Sequence, residues 1–243
     1  MTSIDQLRVK IFADGADLAS MLALYPLPHI KGFTTNPTLM RKAGISDYEA
    51  FAGQVLAAIP DRPISFEVFS DDFDEMERQA RIMAAWGEHV YVKIPVTNTR
   101  RESACDVISR LTQSGVKVNV TALMSLRQVH EVVMALRGGA PACVSVFAGR
   151  VADTGRDPVP LMTAALGILE VAPNAELIWA SPRELLNVVQ ANAIGCHIIT
   201  VTHDLLAKLP LIGRGLDDYS LDTVKMFYDD ARAAGFGLPL LAN

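Results

Sequence analysis

One lysine stands inside an otherwise apolar run, Val90-Tyr91-Val92-Lys93-Ile94-Pro95-Val96-Thr97. The β-branched residues and the closing proline mark a buried strand. A lysine is rarely fully buried unless it is paired or has a task. Desolvation disfavours the ammonium, and the neutral amine is a nucleophile able to form a Schiff base with a ketone or aldehyde. The competing reading is an edge strand with Lys93 in water.

Strand alternation decides between them, because residues two apart share a face. Opposite Lys93 lie Val90, Val92 and Ile94; the corresponding apolar faces elsewhere are Phe66/Val68, Val118/Val120, Val144/Val146 and Ile178/Ala180. The remaining face carries Ser65 and Glu67, Tyr91 and Lys93, Asn119 and Thr121, Ser145 and Phe147, Trp179 and Ser181. With the apolar faces against helices, the second set lines the inside of a barrel. It gathers a carboxylate, an ammonium, an amide and hydroxyls toward the strand ends where barrel active sites form. An inward Glu67 needs a partner, and Lys93 is the candidate. Asp14 ends the first strand and reads either as a site carboxylate or as the N-cap of the next helix. Thr34-Thr35-Asn36-Pro37 follows the second and reads either as site residues or as a polar turn before a helix.

The elements that must position these residues recur along the whole chain. Strand-like runs cover Val9–Ala13, Ile30–Phe33, Ile64–Val68, Val90–Ile94, Val116–Val120, Cys143–Phe147, Leu177–Ala180 and Ile198–Val201. Helical spacing fills Ala16–Leu24, Tyr48–Ile59, Phe73–Trp86, Glu102–Gln113, Leu126–Leu136, Val159–Val171 and Pro182–Ala193, with caps expected at Asp47, Ser125 and Ser181. Strict alternation means a parallel sheet, and eight strands close a single (β/α)8 TIM barrel spanning 1–243, an α/β fold. A surplus helix from about Leu221 to Ala234 is placed to close the mouth or reach a neighbouring subunit, so we expect a homo-oligomer.

The 243 residues are 50% hydrophobic and 20% charged, with a net charge of −5 and no basic block, which argues against nucleic acid as a partner. No run reaches about 18 apolar residues, and Met1–Lys10 lacks a signal-peptide core, so neither a membrane partner nor export is expected. Cys105, Cys143 and Cys196 are too widely spaced for a disulfide framework or metal pattern and fit a reducing, cytoplasmic setting. The histidines show no metal spacing, and neither a dinucleotide fingerprint, a P-loop nor GxSxG occurs.

The lysine motif VYVKIPVT, with GFTTNPTLM at 32–40, SFEV at 65–68, VNVTALMS at 118–125, SVFAGR at 145–150 and ASPREL at 180–185, resembles the transaldolase family, which includes the smaller fructose-6-phosphate aldolases. The resemblance spans essentially the whole chain. It implies that Lys93 forms a Schiff base with C2 of a ketose phosphate, with no cofactor and no metal. It further implies that Asp14 is the acid/base on the C4 hydroxyl and that Glu67 with Thr121 orients a proton-shuttling water. Asn36, Asn119, Ser145 and, less directly, Thr34 would hold the dihydroxyacetone unit. Arg150, Ser181 and Arg183 would bind phosphate, for which guanidinium forks and a helix N-terminus at Ser181 are suited.

Within the family, aldolase members carry glutamine at the strand-three site and tyrosine after strand six. This chain has Glu67 and Phe147, the transaldolase pair. Without a tyrosine to order a protonating water, the enamine would wait for an aldehyde acceptor. The resemblance therefore implies a transferase moving a dihydroxyacetone unit between sugar phosphates. The alternatives are a lyase releasing free dihydroxyacetone and a non-catalytic sugar-phosphate binding protein. Pro182 stands where the family usually has an aromatic residue, and the loop 151–158 is not the common form.

Overall fold

The computed structural model describes residues 4–238; the residues outside that range, which the sequence reading included in the barrel domain, are not described. Eight strands close a barrel in sequence order, β1 (Lys10–Asp14), β2 (Ile30–Thr34), β3 (Ile64–Glu67), β4 (Val90–Pro95), β5 (Val118–Leu123), β6 (Ala142–Val146), β7 (Ala175–Trp179) and β8 (Ile198–Thr202). All neighbours are parallel, and β8 pairs back to β1 through Lys10↔Ile198 to Asp14↔Thr202. The expected (β/α)8 barrel is therefore the fold observed.

Helices connect the strands: α1 (Leu18–Leu24), α2 (Pro37–Lys42), α3 (Tyr48–Ala58), α4 (Phe73–Ala84), α5 (Cys105–Gln113), α6 (Leu126–Leu136), α7 (Ala148–Ala152), α8 (Pro158–Leu169), α9 (Leu186–Ala193), α10 (His203–Leu206) and α11 (Leu216–Ala233). Local chemistry starts several of them. Asp47 accepts from Ala50 N, and Ser125 forms a full capping box with Gln128, as the sequence indicates. The N-cap of α1 is Asp17, which leaves Asp14 free of that role. Helix α7 has no counterpart in the sequence reading, and α11 starts five residues before the expected Leu221.

Two apolar layers result. The larger lies between strands and helices and contains Phe33, Phe66, Val92, Ile94, Val120, Val146 and Trp179, all fully buried. The smaller fills the barrel itself with Phe12, Cys143, Ile178, Ala180 and Ile198, flanked by Tyr91 and Phe147. Phe12 lies over Gly32 of β2, where a Cβ would sit 2.7 Å from the ring. Glycine at 32 is what lets one bulky ring plug the barrel below the site. Cys143 and Cys196 are buried thiols, as expected. Lys10 and Glu176, on the inner faces two residues below Phe12 and Ile178, pair at 2.6 Å toward the opposite end.

Strand seven corrects the face assignment. Ile178 pairs with Ser145 and Ile198 and belongs to the interior layer, while Trp179 pairs with Val146 and packs outward. The expectation that Trp179 faces inward is therefore reversed, while Ser181, two residues beyond the end of the strand, lines the cavity at the barrel mouth as expected. Over Leu177–Ala180 both faces of this run are apolar, so alternation there does not fix its direction; Glu176, one residue earlier, is the polar residue on the inner face.

The start of α9 is a second correction. Ser181 does not cap a helix, and Pro182 is not its first residue: α9 begins at Leu186. Ser181 instead has φ of 59°, and the Asn187 side chain accepts from the amides of Arg183 and Glu184. The cause is a close backbone crossing. A Cβ on Gly149 of α7 would lie 1.6 Å from the Ser181 carbonyl oxygen, so the loop after β7 is pressed against α7 and cannot begin its helix there.

Candidate active site

The C-terminal mouth of the barrel opens on a cavity of about 520 Å3. Its wall includes Asp14, Thr34, Asn36, Glu67, Lys93, Thr121, Ser145, Phe147, Arg150, Ser181 and Arg183. With β8 included, all eight strands or strand ends converge on one space, which is the arrangement the sequence pattern calls for. Asn119 is the exception. It lies below the wall, completely buried, donating to Ser65 Oγ at 2.9 Å and accepting from Ser145 Oγ at 2.7 Å. Its Oδ1 aims the Ser145 hydroxyl, and one N–H of the amide is left for a further contact.

Lys93 is 7% exposed and stands in register with Glu67 on one side and Asn119 on the other. Its Nζ lies 3.4 Å from Glu67 Oε2 and donates to the Thr35 carbonyl at 3.3 Å. The lysine therefore points inward, and the edge-strand reading fails. Burial pushes the Glu67 carboxyl above its ordinary range, against the pull of Lys93. Asp14 accepts from Thr34 Oγ1 at 2.7 Å. Burial raises its pKa too, while Lys93 and the Thr34 hydroxyl act in the opposite direction. Two carboxyls whose proton affinity burial raises, in one cavity with an amine, suit proton transfers around a carbonyl. The Thr121 hydroxyl is buried and has no hydrogen-bond partner among the described residues, so it has donor and acceptor capacity to spare.

Asn36 serves two ends. Its Oδ1 accepts from Leu39 N as the N-cap of α2, and Pro37 occupies the first turn. The cap orients the side chain at the rim while the amide NH2 remains for other contacts. Arg183 donates through Nε and Nη2 to the Asp153 carboxylate, an exposed bidentate pair that holds Asp153 below the usual carboxylate range. That uses one edge of the guanidinium and leaves Nη1 without a hydrogen-bond partner among the described residues. Arg150, exposed on α7, faces the same cavity.

The sequence reading passed over several residues here. Thr200 and Thr202 of β8 line the cavity, and Lys42 reaches it from α2. The alternation Ile198-Ile199-Thr200-Val201-Thr202 carries the signal for the first two, since Thr200 pairs with Phe12 and Thr202 with Asp14 on the inner face. Asp153 lies 30 positions from Arg183 and has no local signature.

A model of the transaldolase/fructose-6-phosphate aldolase family matches residues 11–237. The chain belongs to that family. A protein named probable transaldolase from Dehalococcoides mccartyi is 35% identical over 218 residues, 88% of this chain and 97% of its own length. Another of that name from Streptococcus equi subsp. zooepidemicus is 36% identical over the same shares. A probable transaldolase 2 from Listeria monocytogenes is 34% identical, covering 95% of that protein. Among solved structures, 3-hexulose-6-phosphate synthase aligns with a TM-score of 0.54 at 15% identity, over 80% of this chain and 90% of that one. Dihydrodipicolinate synthase from Rhodopseudomonas palustris aligns at 0.55 and 13%, over 95% and 81%. These two share the barrel only. The family assignment makes this an enzyme of the transaldolase and aldolase type, with its polar cluster at the barrel mouth. No helix among the described residues is long and apolar enough to cross a membrane.

The raised carboxyls have a consequence for stability. The folded chain keeps protons on Asp14 and Glu67 at pH values where the unfolded chain has released them. Their contribution therefore weakens as pH rises from the ordinary values of 3.8 and 4.5 through the raised folded-state values. Each group can contribute a slope of up to about 1.4 kcal/mol per pH unit in that window. Urea unfolding across pH should show this slope in the wild type and a shallower one in Asp14→Asn and in Glu67→Gln; parallel curves would contradict the assignment.

Proposed function

We propose that this chain is a Schiff-base transaldolase that moves a dihydroxyacetone unit from a ketose phosphate, fructose 6-phosphate or sedoheptulose 7-phosphate, to an aldose phosphate in the cytoplasm, within pentose phosphate metabolism. One observation carries the reading: the inward Lys93 amine lies between the Glu67 carboxylate and the Thr35 carbonyl in a cavity that also holds Asp14. The amine attacks the C2 carbonyl, and the carbinolamine loses its hydroxyl as water. Glu67, with an ordered water held also by the free Thr121 hydroxyl, supplies and withdraws the protons of that step. Asp14 then takes the C4 hydroxyl proton as the C3–C4 bond breaks. This releases an aldose phosphate and leaves an enamine on Lys93. An incoming aldehyde accepts the enamine carbon, Asp14 returns a proton to the new hydroxyl, and hydrolysis frees the lysine. All atoms are supplied by substrate, water and side chains, so no cofactor is required.

Several features support the substrate class. Arg150 and the free edge of Arg183 face the cavity, and guanidinium groups take phosphate bidentately. Ser181 contributes as a rim hydroxyl, not as a helix cap. Ser145, aimed by Asn119, together with Asn36 and Thr34 supplies polar contacts for the dihydroxyacetone hydroxyls. Phe147, packed against the interior layer at the cavity wall, offers no hydroxyl to order a protonating water, which favours transfer over release. The lyase reading differs only in that proton. Incubation with fructose 6-phosphate separates them. Sedoheptulose 7-phosphate should form when erythrose 4-phosphate is present, with little free dihydroxyacetone in its absence, and Lys93→Met should abolish both. Rapid acceptor-free release of dihydroxyacetone would favour the lyase; ligand binding without turnover would favour a non-catalytic protein.

We propose also that a second copy of this chain covers α11. None of its 18 residues is buried, and Leu216, Leu221, Val224 and Phe227 are more than half exposed. Helices take most of their stability from packing an apolar face, and this one has no such packing within the described residues. Light scattering should give a multiple of the 26.3 kDa chain mass, reduced by Phe227→Asp; a wild-type monomer would contradict this.

A further inference from the structure

The β2–β3 ladder stops one step before it reaches Glu67. Phe33 N donates to the Pro63 carbonyl and Thr35 N to the Ser65 carbonyl. The parallel pattern advances two residues at a time, so the next donor to the Glu67 carbonyl would be the amide of residue 37. Residue 37 is proline and has no N–H. The same step would give the Glu67 N–H to the Thr35 carbonyl, but that N–H donates to a side chain instead, and the Thr35 oxygen accepts from Lys93. Neither backbone group of Glu67 on this side has its strand partner.

Tyr48, the first residue of α3, fills the gap. Its hydroxyl accepts from Glu67 N at 2.8 Å and donates to Glu67 O at 2.9 Å. One phenol oxygen replaces a missing strand, and leaving these groups unpaired would cost more than the bonds return. The ring is held in place by its neighbours, with centroids 6.3 Å from Phe66, 5.8 Å from Phe69 and 6.0 Å from Trp86. On the other side, Glu67 is locked by its pairing with Lys93, and the Val68 amide donates to the Lys93 carbonyl.

We propose that Tyr48 is a positioning residue for the reaction: by taking over the backbone bonds of Glu67 where the ladder ends, it fixes the carboxylate beside the Lys93 amine. The proposal rests on the Schiff-base reading given above. It makes Pro37 and Tyr48 two halves of one device, the proline ending the ladder and the tyrosine replacing it. Phosphate binding lies across the cavity, on the loops after β6 and β7, and does not depend on this device.

Tyr48→Phe keeps the ring and removes both bonds. We expect kcat for transfer from fructose 6-phosphate to erythrose 4-phosphate to fall about tenfold, with KM nearly constant and the pH profile of kcat displaced. Trp86→Phe keeps an aromatic ring beside Tyr48 and leaves the phenol hydroxyl in place; it should lower thermal stability and leave kcat and the pH profile alone. A folded Tyr48→Phe with wild-type kcat and profile overturns the proposal, as does an equal loss in Trp86→Phe. If Tyr48→Phe does not fold, 3-fluorotyrosine at position 48 keeps the hydroxyl and weakens it as an acceptor. A kcat lowered about twofold or more then supports the proposal, and an unchanged kcat overturns it. A wild-type protein that transfers nothing overturns the Schiff-base reading, not this device. Hydrogen exchange at the Glu67 amide then decides: about tenfold faster exchange in the variant supports the two bonds, and equal exchange overturns them.

Discussion

An amine and two carboxyls share the buried mouth of this barrel, and the rest of the site follows from keeping them there. Removing such groups from water costs several kcal/mol each, and only pairing and hydrogen bonds offset it. The chain meets the cost with few contacts. Lys93 has Glu67 at 3.4 Å and the Thr35 carbonyl at 3.3 Å; Asp14 has the Thr34 hydroxyl at 2.7 Å. Burial wins over these contacts at both carboxyls, whose pKa values are raised. Both carboxyls therefore bind protons more tightly in the folded chain than in water.

The scaffold converts that tension into geometry. Below the cluster, Phe12 over Gly32 and the apolar layer around Ile178 fill the barrel, so the charges cannot sink further. Around it, polar side chains are aimed by others that do not line the cavity: Ser145 by Asn119, Glu67 by Tyr48 through its backbone, and Arg183 by Asp153. Gly149 permits the close crossing that brings the loops after β6 and β7 together and so places Arg150 and Arg183 at one rim. Rigid strands hold the amine and the carboxyls, while the segments after β6 and β7 hold the two guanidinium groups, the division of labour that a barrel enzyme allows.

Much of this was legible in the sequence because strand alternation has a period of two. Glu67, Lys93 and Thr121 fall on one face by counting alone, and the structure places all three at the cavity. The same rule failed on β7, where Ile178 and Trp179 are both apolar and either face could turn inward. It failed after β7 for a different reason. Ser181-Pro182 has the local form of a helix start, but the crossing with Gly149 overrides that preference and delays the helix to Leu186. Asn119 falls on the inner face as counted, but that it lies beneath the cavity wall and aims Ser145 is set by the barrel's register and not by the local pattern. Contacts such as Tyr48 with Glu67 or Asp153 with Arg183 join distant positions and leave no periodic trace.

The central claim is that Lys93 is the nucleophile of this site. The most direct measurement is reduction with borohydride in the presence of fructose 6-phosphate, followed by mass spectrometry of the digested protein. The account predicts a single reduced dihydroxyacetone adduct on the peptide containing Lys93, absent from Lys93→Met. An adduct confined to another lysine, or none under conditions of turnover, would contradict it.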